Sequence, residues 1–256
     1  MIASRVSVLA ALILTPMLLA ANPSLAVPPL VAGDVEPAGL GHYEVYFGRQ
    51  TKQKANGDEK VVDLVEIVYG NRPHQEITVE LPYVTRSGLS RASGLGDVVI
   101  GTKYQFANET RTRPAGAVSF EMKLANAPNE NGLGSGSVDL DIRWRAEKWL
   151  GKLDTIFNLG YIRVGDPEVA GARLDLPDVV YWALAGRKPV SKKTKLLAEV
   201  YGSSPEEHGG RCKTGFDIGF DYKHGTIWHV AWGHGLGRSS REDLKTRLYV
   251  GLKREF

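Results

Sequence analysis

The stretch Asp243-Leu244-Lys245-Thr246-Arg247-Leu248-Tyr249-Val250-Gly251-Leu252-Lys253-Arg254-Glu255-Phe256 decides the fold. Leu244, Thr246, Leu248, Val250 and Leu252 fall on one face of an extended chain, and Phe256 closes that face. Lys245, Arg247, Lys253 and Glu255 fall on the other. Successive strand side chains point to opposite sides, so this alternation describes a strand set between hydrocarbon and water. A terminal aromatic residue on such a strand is typical of bacterial outer-membrane barrels. The expected fold is all-β, an antiparallel transmembrane β-barrel in the bacterial outer membrane.

The same period runs through the chain. Val138, Leu140, Ile142 and Trp144 alternate with Asp139, Asp141, Arg143 and Arg145. On a helix, residues two apart are separated by ~200°, so these apolar groups would scatter around the axis; on a strand they make one face. Pro114–Leu124, Val98–Phe106 and Lys213–Tyr222 repeat the pattern. Less regular candidates are His42–Gln50, Val61–Tyr69, His74–Val84, Leu153–Val164, Asp178–Arg187, Thr194–Tyr201 and Thr226–Trp232, which brings the expected strand number to twelve. Ten or fourteen is the expected error.

The connections alternate long and short, beginning Thr51–Lys60, Gly70–Pro73, Thr85–Gly94 and Ala107–Arg113. Long loops occupy the odd connections. That is the phase of a barrel with long extracellular loops and short periplasmic turns. Trp and Tyr residues near strand ends, such as Tyr43, Tyr83, Trp149 and Trp232, suit aromatic girdles at the headgroup level.

Met1–Ala26 combines an early cation (Arg5), an apolar run from Val6 to Ala21 and the small residues Ser24-Leu25-Ala26, the signature of a cleaved signal peptide. The expected organisation is a leader over residues 1–26, a periplasmic N-terminal segment over 27–40 and the barrel over 41–256. The chain carries 32 basic and 29 acidic residues, a balance that argues against nucleic acid as partner. The single cysteine, Cys212, lies in a polar run and reads as a loop thiol.

Gly94-Leu95-Gly96-Asp97-Val98 leads into Gly101-Thr102-Lys103-Tyr104-Gln105-Phe106, preceded by Glu80-Leu81-Pro82-Tyr83 and followed by Gly134-Ser135-Gly136-Ser137-Val138-Asp139 and Glu199-Val200-Tyr201-Gly202. These stretches resemble an outer-membrane β-barrel family associated with phenol meta-cleavage gene clusters. The resemblance covers roughly residues 40–256 and implies a barrel that admits hydrophobic or aromatic compounds. Two departures stand out. Ala127-Pro128-Asn129-Glu130 replaces an expected Pro-Thr-Gly element, and Arg254 occupies a lipid-facing phase, tolerable near an interface by snorkelling.

Nothing in the chain reads as a catalytic or metal site. Ser87, Ser90 and Ser93 share a loop without a G-x-S-x-G context. His224, His229 and His234 recur every five residues, which puts neighbours on opposite strand faces. No cofactor is expected.

Function is expected in the lumen. Glu80, Lys103, Glu121, Lys123, Asp139, Asp141, Arg143, Arg145, Glu199, Asp217, Asp221, Lys245 and Arg247 take inward phases. Both charge signs are present, so they either pair and fill the barrel or line a narrow aqueous path. Gly165–Pro177, with Asp166, Glu168, Arg173 and Asp175, is the expected constriction loop. The reading is a channel or transporter for small solutes. Expected partners are outer-membrane lipid and lipopolysaccharide, the solute, and the outer-membrane assembly machinery, through the strand ending at Phe256. A lipid-modifying enzyme and a structural or adhesive barrel are the alternatives.

Overall fold

The computed structural model describes residues 30–87, 91–129, 131–169, 172–236 and 244–256. The leader, Ser90 and most of the last long connection lie outside these. Twelve long antiparallel strands form a closed barrel. They are β1 (Tyr43–Lys54), β2 (Glu59–Arg72), β3 (Gln75–Ser87), β4 (Val99–Ala107), β5 (Ala115–Lys123) and β6 (Asp139–Leu150). Then follow β7 (Leu153–Arg163), β8 (Val179–Pro189), β9 (Thr194–Ser203), β10 (Lys213–His224), β11 (Thr226–Leu236) and β12 (Leu244–Glu255). Each strand pairs with its sequence neighbours, and β1 pairs with β12 to close the ring. Among the described residues there is no helix.

Alternation sets the faces. In β6, Ile142 is 51 % exposed on the outer face and Arg143 is 1 % exposed on the inner one. Phe47, Ile77, Leu81, Phe120, Leu184 and Leu248 continue the apolar outer face. The interior holds the charges instead. Where an inward tyrosine needs room, the neighbouring strand supplies glycine: a Cβ on Gly160 would strike the Tyr181 ring, and one on Gly48 would strike Tyr249. The outer face carries one bidentate ion pair, Arg49–Asp63, whose partners sit directly opposite on β1 and β2.

One end of the barrel is made of tight turns. Gly151 and Gly225 take positive φ there, and His74 does so without being glycine. The other end carries the longer connections. The first of these is shorter than the sequence suggests. β1 and β2 keep pairing through Lys52–Lys60 and Gln53–Glu59, leaving only a turn around Gly57. Polar residues beyond the hydrocarbon band keep the hydrogen-bond ladder but lose the alternation that marks a strand.

The wall is irregular at one place. β3 pairs with β4 only up to Glu80–Val99; above that it pairs with the short strand Ala92–Leu95. Pro82, which has no N–H to donate, sits where the partner changes, and its carbonyl accepts from Gly96.

Candidate functional site

The lumen is built by inward side chains of every strand and by residues 30–38. The sequence reading placed the segment 27–40 outside the barrel; from Leu30 onward the structure places it against the inner wall. It pairs with side chains in place of a strand. The N–H groups of Val31 and Ala32 donate to the two oxygens of Glu199 on β9, at 2.7 and 2.9 Å. Gly33 N–H donates to Asn158 Oδ1 on β7, and Val35 N–H donates to Glu147 on β6 at 3.0 Å. Ala38 N–H donates to Glu76 on β3 at 2.7 Å. Lys103 and Arg145 donate back to the carbonyls of Glu36 and Asp34. Burying a backbone group without a partner costs about 1–3 kcal/mol, so these contacts decide whether the segment can lie there.

Asp34 is the segment's charged anchor. Its carboxylate lies 3.0 Å from Lys103 Nζ and 3.7 Å from Arg187. Burial opposes its charge, but Lys103 and Arg187 outweigh that and hold the carboxyl well below the usual carboxylate range. Apolar contacts complete the seat. Leu30 and Ala32 pack on Ile156, Ala183, Ala185 and Leu197; Val35 packs on Ala115 and Ala117; Ala38 packs on Tyr46 and Val68.

Of the inward residues expected from the sequence, Lys103, Asp139, Asp141, Arg143, Arg145, Glu199, Asp217 and Arg247 are buried, as is Glu80. Glu121, Lys123 and Asp221 are partly buried, and Lys245 is exposed at the end of β12. The expected inward phase is interrupted there by a β-bulge, since Gln53 lies opposite Thr246 and Lys54 opposite Leu244. The buried charges form connected groups. Arg143 Nη2 lies 2.7 Å from Asp141 and 3.7 Å from Glu121, and Tyr181 donates to Asp141 at 2.9 Å. Arg247 pairs with Asp217 and, at 3.2 Å, with Glu199, while its guanidinium lies over the Tyr201 ring. Arg187 binds Asp154 and Glu147 at 2.6 and 2.8 Å. Lys123 pairs with Asp139. Thus the reading of a charge-filled interior describes the middle of the barrel better than a polar-walled open path.

At the long-loop end the constriction differs from expectation. Arg173 and Asp175 are 77 % and 89 % exposed, and Arg173 pairs with Asp166 at 3.0 Å. Glu168 is exposed too. Of the four, Asp166 alone is partly buried. The loop between β5 and β6 does the covering: its Ala127 and Leu133 pack on Val62 and Val84 of the inner wall. Asp97 holds it there, accepting from Ala127 N–H at 3.0 Å, Ser135 N–H at 2.6 Å and Ser135 Oγ at 3.0 Å. A Cβ on Gly134 would lie 2.6 Å from that carboxylate, which accounts for the small residue.

Openings lie beside these groups. One, of about 390 Å³, lies at the turn end between residues 35–40 and the inner wall around His74, Gln105, Glu109 and Trp149. Another, of about 20 Å³, is ringed by Glu66, Glu80, Lys103, Glu121 and Arg145, room for about one water. His229 faces inward, 2.7 Å from Asp221 and stacked on Tyr46, whereas His234 packs with Phe216 and Trp232. Cys212 is exposed.

Comparison with known proteins follows this geometry. A family described as "Putative MetA-pathway of phenol degradation" matches residues 43–243. The COG4313 outer membrane channel from Pseudomonas putida F1 superposes with a TM-score of 0.71 at 18 % identity, covering 89 % of this chain and 100 % of that one. The NanC porin gives 0.55 at 8 % identity, covering 82 % and 98 %. The KdgM porin in complex with disordered oligogalacturonate gives 0.55 at 10 % identity, covering 83 % and 99 %. A search of curated proteins gives no match.

Proposed function

The chain belongs to an outer-membrane barrel family linked to phenol degradation, and from that premise we propose that it is a channel for small solutes whose lumen is closed by its own N-terminal segment. One observation carries the reading. Residues 31–38 are held by side-chain acceptors and donors, Glu199, Asn158, Glu147, Glu76, Lys103 and Arg145, instead of by a continuous strand ladder. A segment held in this way can leave without breaking any strand of the wall. The family's description favours aromatic or hydrophobic cargo. The neighbours named above are channels and porins, and no enzymatic activity is proposed.

In this reading the leader is removed, the long connections face the cell exterior and the turns face the periplasm. The outer face meets lipid and lipopolysaccharide, and the assembly machinery reads the strand ending at Phe256. The test is single-channel recording of the refolded barrel beside a variant lacking residues 30–38, checked for folding by heat-dependent gel migration. The variant should conduct more than the full chain. Equal conductance, or silence from both, overturns the proposal.

A further inference from the structure

We propose that the opening at the turn end of the lumen is a binding site for a small apolar amine, and that its occupancy holds residues 30–38 in their seat. As a brake on conduction it rests on the channel reading above; the site itself does not.

Two walls meet at this opening of about 390 Å³. Residues 35–40 form one of them. The barrel forms the other, with Gln105 on β4, Ala115 on β5, and Glu147 and Trp149 on β6. A cavity of roughly 150 Å³ is enough for benzene, so one substituted ring fits here with room for water beside it.

The lining is rich in acceptors. Glu36, Glu109 and Glu147 bring three carboxylates to it, and among the described residues that line it there is no lysine or arginine. Two of the three are engaged from behind: Glu109 lies 3.1 Å from Lys148, and Glu147 lies 2.8 Å from Arg187. Glu36 is different. Lys103 takes its carbonyl, while its exposed carboxylate has no partner among the described residues. Gln105 adds a neutral acceptor, because its Nε2 already donates to Asn108 Oδ1 at 3.1 Å and its Oε1 stays free. An incoming group that donates hydrogen bonds and carries positive charge suits this lining, and a carboxylate does not.

The rest of the lining states what the cation carries. Trp149 continues the inward phase of Arg145 and Glu147 and remains 43 % exposed, so its indole offers a face to an ammonium group or to a second ring. Val35, Pro37, Leu40 and Ala115 are apolar. A hydrated inorganic cation would leave these surfaces unused. Because residues 35–40 are one of the two walls, the complete site exists only while the segment is seated. A ligand that touches both walls therefore binds the seated state better and, by mass action, draws the segment into it.

The test is isothermal titration of the refolded full-length barrel with benzylamine, benzyl alcohol and benzoate, one body with three charges. Protease protection of residues 30–38 is followed in parallel, and neither readout needs the barrel to conduct. Benzylamine should bind about tenfold more tightly than benzyl alcohol, with benzoate weakest, and should raise the protection. The double variant Glu36→Gln/Trp149→Leu keeps the Glu36 carbonyl that Lys103 holds; with folding confirmed by gel migration, it should lose about tenfold in benzylamine affinity. Absent benzylamine binding, benzyl alcohol or benzoate binding as tightly, unchanged affinity in the double variant, or binding that leaves protection unchanged each overturns the inference. A barrel that conducts without binding benzylamine removes this site and keeps the channel; one that binds it with rising protection but stays silent with and without residues 30–38 does the reverse.

Discussion

Asn158 and Gly33 exchange two hydrogen bonds: Gly33 N–H donates to Asn158 Oδ1 at 2.8 Å, and Asn158 Nδ2 donates to the Gly33 carbonyl at 2.9 Å. The side-chain amide offers the donor and acceptor that one residue of a neighbouring strand would offer, at a position with no solvent access. Asn158→Asp keeps the shape and the acceptor but loses the donor. An unpaired buried carbonyl costs about 1–3 kcal/mol, so the ratio of unseated to seated segment should rise roughly tenfold or more. Closed dwell times in single-channel records measure it, and an unchanged closed fraction would show that the seat does not depend on this amide.

Gly33 itself allows the Arg145 guanidinium to lie against the segment; a Cβ there would overlap Nη1 and Cζ. Gly33→Ala therefore forces either Arg145 away from the Asp34 carbonyl or the segment off the wall. The variant should fold with wild-type gel migration, because no barrel strand is touched, and should lose protection of residues 30–38 against protease added from the turn side. Full protection would show that Arg145 yields instead.

Which residues face in or out was legible because period 2 ties face to sequence parity, and Asp139, Asp141, Arg143 and Arg145 needed no knowledge of their partners. The seat of residues 30–38 was not legible. It depends on contacts such as Gly33 with Asn158, 125 residues apart, and no local period encodes those. A signal existed in Val179–Ala185, which is apolar on both phases. Val180, Trp182 and Leu184 belong outside, so Val179, Tyr181, Ala183 and Ala185 required a cover inside. Lys52 and Lys60 were read as part of a connection, though both lie in strands, because polar strand ends lack the alternation. The choice of inward loop was equally hidden: charge pointed to residues 165–177, while the buried anchor Asp97 selects the loop containing Ala127 and Ser135.

Asp34 predicts how the closed state responds to acid. A carboxyl held below its ordinary value contributes stability above its unfolded pKa, near ~3.9, and loses it as pH falls through the lower folded value. Its contribution should therefore be constant between pH 8 and 5. Asp34→Asn removes the attraction to Lys103 and Arg187 and should open the channel at every pH in that range by the same factor. If the gap between wild type and variant closes toward pH 5, the carboxyl titrates there and the lysine and arginine do not hold it.

Asp97 predicts a separate effect at the opposite end. Three donors converge on its two oxygens, and Ala127 and Leu133 remain on Val62 and Val84 only while the loop is tied down. In Asp97→Asn one oxygen becomes an NH₂ group that must face a backbone N–H, so at least one hydrogen bond to a charged acceptor is lost and a donor clash appears, about 2 kcal/mol or more. The loop between β5 and β6 should become cleavable from the long-loop side, while the closed fraction set by residues 30–38 stays as in the wild type, because no atom of that segment touches Asp97 among the described contacts. A joint change in loop cleavage and closed fraction would mean that the two ends of the lumen are coupled through the Arg143 and Glu121 charges between them.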